Sequence, residues 1–152
     1  MPTFLEDEQA TEAFGAALTS ALSPGLVIWL TGDLGAGKTT LTRGLLRALG
    51  HTGSVKSPTY TLMEIYNPGK IMLYHFDFYR FNHPDEFLEA GLEEYFGGDG
   101  VCLVEWADKA LPHVPQADLE IHMSVEGEGR RARLEARSTK GHECLNRAQF
   151  TH

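Results

Sequence analysis

Leu26-Val27-Ile28-Trp29-Leu30-Thr31-Gly32-Asp33-Leu34-Gly35-Ala36-Gly37-Lys38-Thr39-Thr40 is the stretch on which the reading of this chain turns. Residues 32–39 match G-x-x-x-x-G-K-[ST] in full, and the apolar run at 26–30 has the composition of a buried parallel strand. Residues 40–49 follow with helical spacing and stop at Gly50. Strand, glycine loop and helix together predict a phosphate-binding loop in an α/β fold. The ligand class that follows is a nucleoside triphosphate with Mg²⁺.

The residue types suit that chemistry. Gly32, Gly35 and Gly37 let the backbone curl so that the N–H groups across Asp33, Leu34 and Ala36 point inward, with no Cβ in the way. The helix start adds unpaired N–H groups and the positive end of a dipole. Lys38 supplies a point charge for the β/γ-phosphates and Thr39 a hydroxyl for Mg²⁺. Thr40 adds a second hydroxyl toward the α-phosphate.

Composition narrows the rest. The chain has 152 residues, enough for one domain with a real core and little room for another. A net charge of −8 argues against gripping nucleic acid over the whole surface, leaving Arg130-Arg131-Arg133 as the dense basic cluster. Cys102 and Cys144 suggest neither a disulfide framework nor a four-ligand metal site, and Cys102 sits in an apolar run that reads as core. The first residues lack a basic segment followed by an apolar core, and no apolar run is long enough to span a bilayer. A cytoplasmic protein without membrane contact is expected.

Asp7 is the expected N-cap of a helix over 8–22 that places Ala10, Ala13, Phe14, Ala17, Leu18, Ala21 and Leu22 on one face. Residues 60–66 and 70–78 flank Asn67-Pro68-Gly69 as a hairpin, and 118–125 and 130–137 form another around 126–129. A short helix is expected at 84–90 and a buried strand at 101–104. The weakly patterned residues from about 138 to 152 read as a fraying tail.

A phosphate-binding loop needs an acidic partner for its metal, usually at the end of a neighbouring strand. Val101-Cys102-Leu103-Val104-Glu105 has that form, which makes Glu105 a candidate Mg²⁺ or water-orienting residue. Asp77, within His75-Phe76-Asp77-Phe78-Tyr79-Arg80, is its rival, with three roles open: metal binding through water, orienting the attacking water, or pairing with Arg80. Ser57 and Thr59, in the loop after the helix, occupy the place where nucleotide switches sense the γ-phosphate. His75 reads as a packed histidine, and Trp106 as a half-buried anchor or contact surface.

Taken together, Gly32–Thr40, Ser57-Pro58-Thr59-Tyr60-Thr61-Leu62, His75–Arg80 and Leu103-Val104-Glu105-Trp106 resemble the four ordered motifs of the bacterial TsaE (YjeE) family over nearly the whole chain. The resemblance implies a P-loop NTPase-like domain whose mixed sheet, with hairpins, is flanked by helices. It implies ATP or ADP with Mg²⁺ held by Thr39 and Glu105, catalytic roles for Lys38, Glu105 and Asp77, and nucleotide contacts from Thr11 and Arg130. It also implies an ATPase of tRNA threonylcarbamoyladenosine formation that works with TsaB and TsaD and meets tRNA through that complex.

Two other classes fit the loop alone. A small-molecule kinase normally adds an arginine-rich lid and an acceptor pocket, neither legible here, and a non-catalytic nucleotide-binding scaffold would not need Glu105. A GTPase switch would carry Asn-Lys-x-Asp and Asp-x-x-Gly, which are absent from the sequence.

Overall fold

A computed structural model describes residues 2–148. In chain order its elements are β1 (Thr3–Leu5), α1 (Glu8–Ala17), β2 (Val27–Thr31), α2 (Lys38–Leu49), β3 (Met63–Tyr66) and β4 (Leu73–Asp77). They continue with α3 (Glu86–Glu89), β5 (Val101–Glu105), β6 (Leu119–Glu126), β7 (Gly129–Ala136) and α4 (Thr139–Arg147). The strands form one mixed sheet in the order β1-β7-β6-β2-β5-β4-β3. Its middle strands, β6, β2, β5 and β4, run parallel, while β3, β7 and β1 add antiparallel edges.

Alternation along the central strands feeds two cores. Ile28, Leu30, Leu73, Leu103 and Ile121 join Phe14 of α1, Leu41 and Leu45 of α2 and Cys144 of α4. Phe76, Cys102 and Val104 face the other way, toward Phe78, Phe87 and Leu92. Burial pushes the Cys102 thiol up to about 12, so this cysteine is core rather than chemistry.

The sequence and the structure differ at the edges of elements. Asp7 caps α1 as expected, accepting from the Ala10 N–H at 2.8 Å, but the α-helix stops at Ala17 rather than running to 22. It tightens into a 3-10 turn at Thr19–Ala21, which keeps Ala21 buried and so preserves the apolar spacing. The first hairpin strand starts at Met63, because Leu62 takes a left-handed turn at φ 73°. β1 was not legible, being three residues long and defined by its pairing with β7.

Residues 139–147 correct the expected fraying tail, since they form α4. Ser138 caps α4, its hydroxyl accepting from the Gly141 N–H at 3.0 Å and donating to Asp118 Oδ1 at 2.7 Å. The other Asp118 oxygen accepts from the Val27 N–H at 2.9 Å, at the start of β2. A Cβ on Gly141 would stand 1.8 Å from the Asp118 carbonyl oxygen, so only glycine allows this approach. Residues 149–152 lie outside the described residues.

A second close approach sets the position of α1. A Cβ on Gly15 would lie 2.1 Å from the Leu41 carbonyl oxygen, and one on Gly44 2.0 Å from that of Glu12. The missing side chains let α1 and α2 cross backbone to backbone, and Arg43 bridges the crossing to Glu8 and Glu12.

Candidate functional site

The site gathers at the carboxyl ends of the parallel strands, where the chain leaving β2 turns one way across the sheet and the chain leaving β5 the other. Leu30 of β2 pairs with Glu105 of β5, which pairs with Asp77 of β4. Both acids therefore reach the sheet edge beside the loop between β2 and α2.

That loop has the conformation its glycines were expected to allow. Gly32, Gly35 and Gly37 have φ of 148°, 83° and 97°. A Cβ on Gly32 would approach the Met123 carbonyl oxygen to 2.6 Å, whereas Gly35 faces open space. Ala36 is buried beneath the loop, while Asp33 and Leu34 are exposed.

Lys38 is 94 % buried (6 % exposed) and engaged on three sides. Its Nζ donates to the Gly32 carbonyl at 2.6 Å, stands 3.3 Å from Glu105 Oε1, and lies 4.9 Å from the centroid of the Trp106 ring. The other Glu105 oxygen, Oε2, is 2.6 Å from His75 Nε2. Burial pushes the Glu105 carboxyl up, but the hydrogen bond and charge of His75, and then Lys38, override it and hold the group below the ordinary carboxylate range. Trp106 turns away from the strand with φ 57°, a left-handed conformation that brings its ring over Lys38.

Asp77 is also buried and has different partners. Its Oδ2 accepts from the Thr59 hydroxyl at 2.9 Å and its Oδ1 from the Tyr79 N–H at 2.9 Å. Ser57 Oγ extends the chain, 2.8 Å from Thr59 Oγ1. The open pairing with Arg80 is not what Asp77 makes: the Arg80 guanidinium stacks on Tyr60, 4.0 Å from the ring centroid.

These groups surround a cleft of about 240 Å³ lined by Lys38, Thr39, Thr40, Asp77, Glu105 and Arg130, with Ser57 and Thr59 on its far wall and Leu34, Gly35 and Gly37 beneath. An adjoining cavity of about 290 Å³ runs between Thr11, Gly37, Thr40 and Arg130. Arg130 belongs to both, with Nε donating to the Gly35 carbonyl at 3.1 Å and Nη1 to that of Gly129 at 2.8 Å. Gly32 and Asp33 lie off these walls, in a separate recess with Trp29 and Trp106. The Thr39 hydroxyl and the Asp77 and Glu105 carboxylates are hard oxygen donors, the kind Mg²⁺ takes.

His75 is what the sequence reading undervalued. It is packed as expected, fully buried, yet it is bonded to a site carboxylate. The available signal was its place two residues before Asp77, which puts both on one face of a strand.

Fold and loop define a protein of the P-loop NTPase-like α/β class. Residues 5–133 match the family described as threonylcarbamoyl adenosine biosynthesis protein TsaE, and the chain belongs to the TsaE family. It is 40% identical over 148 residues to the tRNA threonylcarbamoyladenosine biosynthesis protein TsaE of Haemophilus influenzae, covering 94% of each chain. It is 50% identical over 117 residues to that of Bacillus subtilis, covering 76% of this chain and 73% of the other. The crystal structure of Bacillus subtilis YdiB superposes with a TM-score of 0.82 at 35% identity, over 96% of this chain and 91% of that one. No helix among the described residues is long and apolar enough to cross a membrane.

Proposed function

We propose that this chain binds ATP with Mg²⁺ and hydrolyses it, weakly alone and faster with TsaB and TsaD, during formation of threonylcarbamoyladenosine at position 37 of tRNAs reading codons that begin with A. The observation that carries the reading is the buried Lys38–Glu105 pair, 3.3 Å apart beside Thr39 at the mouth of the glycine loop. A cation for phosphate and an anion for the metal are already side by side. Membership in the TsaE family supports the pathway. The setting is cytoplasmic, and tRNA is met through the complex.

In this reading the phosphates lie against the loop N–H groups and the start of α2, and Lys38 exchanges Glu105 for the β/γ-phosphates. Thr39 and Glu105 hold the Mg²⁺, which supplies charge neutralisation at the phosphates. Asp77, fixed by Thr59, orients the attacking water. The adenosine half occupies the cavity between Thr11 and Arg130.

The test is co-purification with TsaB and TsaD in the presence of ATP or ADP, with ATPase measured on the assembly. Thr39→Ala and Glu105→Ala are expected to abolish turnover. Full turnover in Glu105→Ala with both partners present would overturn the catalytic reading, and phosphorylation of an added small acceptor would favour a kinase.

A further inference from the structure

His75 is a polar ring where packing alone would favour an aliphatic one. It lies on β4 with 0 % of its surface exposed, beside Glu64 on one side and Leu103 on the other in the sheet register. Only one ring nitrogen is engaged: Nε2 meets Glu105 Oε2 at 2.6 Å, while Nδ1 is buried without a hydrogen-bond partner. An orphaned buried polar atom is costly, and a leucine of similar bulk would avoid that cost. What the ring provides in return is its single contact with Glu105.

That contact has a definite polarity. Glu105 Oε1 stands 3.3 Å from the Lys38 ammonium, and a carboxylate in such a pair only accepts. Nε2 therefore carries the proton and donates. With Oε2 held by His75, the carboxylate plane is fixed and Oε1 is left to Lys38 at 3.3 Å, both residues lining the cleft. A glutamate side chain has three rotatable torsions, and a charged pair with Lys38 alone does not fix its plane. Partners behind a metal ligand commonly set its orientation in this way.

We infer that His75 is a positioning residue: it locks Glu105 so that Oε1 is presented to Lys38 and to the divalent cation that enters with the nucleotide. The inference rests on the ATP·Mg²⁺ reading above. It assigns His75 no contact with nucleotide or metal. Its effect is on the Mg²⁺ requirement, and phosphate binding without metal is independent of it.

The experiment titrates the isolated full chain with ADP and with the β,γ-imido analogue of ATP, once in EDTA and once over a Mg²⁺ series, following tryptophan fluorescence and calorimetry. His75→Leu removes the donor. His75→Gln returns an amide donor near the place of Nε2, and His75→Asn places one near Nδ1, out of reach of Glu105. Nucleotide affinity in EDTA is expected to stay within about threefold of wild type in all three. The Mg²⁺ concentration for half-maximal effect is expected to rise about tenfold or more in the Leu and Asn variants and to return most of the way in Gln. In the Glu105→Gln background, His75→Leu should add no further loss.

An unchanged Mg²⁺ requirement in both Leu and Asn, in a chain whose wild type responds to Mg²⁺, would overturn this inference alone. So would equal losses in EDTA and in Mg²⁺ with a lowered melting temperature, or a Gln variant no better than Leu. If His75→Leu does not fold, the Asn and Gln pair decides the matter by the same criteria. A wild-type chain indifferent to Mg²⁺ would overturn the underlying metal reading and this inference with it.

Discussion

Asp77 and Glu105 stand in register on adjacent parallel strands, yet their carboxylates are held by separate sets of partners. Thr59 and Tyr79 hold Asp77, and His75 and Lys38 hold Glu105. Two neighbouring acids with unlike surroundings suit unlike tasks. One is tied to a hydroxyl of the segment between α2 and β3, the other to the lysine that follows the glycine loop.

The Asp77 arm is tested by Thr59→Val, which removes the donor while keeping the shape. In the proposed assembly with TsaB and TsaD, turnover is expected to fall about tenfold or more, toward the 10²-fold typical of a lost acid–base group. Binding of ADP should change less than threefold. Ser57→Ala should cost less, because its hydroxyl meets Thr59 rather than Asp77. Steady-state ATPase and ADP titration check both.

Glu105 makes stability depend on pH in a definite direction. Its folded-state carboxyl lies below the ordinary value, so its contribution is fully present above the unfolded carboxylate range and is lost as pH falls through the lower folded value. Glu105→Gln is expected to be less stable than wild type at neutral pH, by about 3–5 kcal/mol if Lys38 is left unpaired. The gap should narrow on acidification below about pH 4, the ordinary range of a carboxyl. Urea melts of both proteins at several pH values provide the measurement.

Gly15 and Gly44 carry the helix crossing, and neither tolerates a Cβ without backbone movement. Gly15→Ala and Gly44→Ala are each expected to destabilise by about 1–3 kcal/mol despite the better helix propensity of alanine. At this chain length each kcal/mol lowers the melting temperature by roughly 2–4 °C. A rise in melting temperature would show that the helices part easily.

Arg130 braces the glycine loop through the Gly35 carbonyl and lines both cavities. Arg130→Ala is expected to weaken ADP binding about 10- to 100-fold, the scale of a lost hydrogen bond from a charged group to its partner. The melting temperature of the free protein should fall by no more than about 3 °C, since the side chain bridges surface segments. Calorimetry of nucleotide binding alongside a thermal melt separates the two effects.

The loop, its strand and its helix were legible because their signals are local: glycines where φ is positive, an apolar run, then helical spacing. Glu105 was legible for the same reason, as the acid ending an apolar strand. The His75–Glu105 contact was not, because it depends on the register of two parallel strands thirty residues apart in sequence. The roles of Gly15 and Gly44 were not legible, since what they accommodate is another helix's backbone. α4 escaped notice because its cap and its glycine contact both need Asp118.

Asp118 ties the start of α4 to the base of β2. The family match stops at residue 133, but the base of β2 is moored through Asp118 to Ser138 and the first turn of α4. The glycine loop hangs from the opposite end of that same strand. The residues past that match thus anchor the strand that carries the loop, so the mechanical unit is longer than residues 5–133.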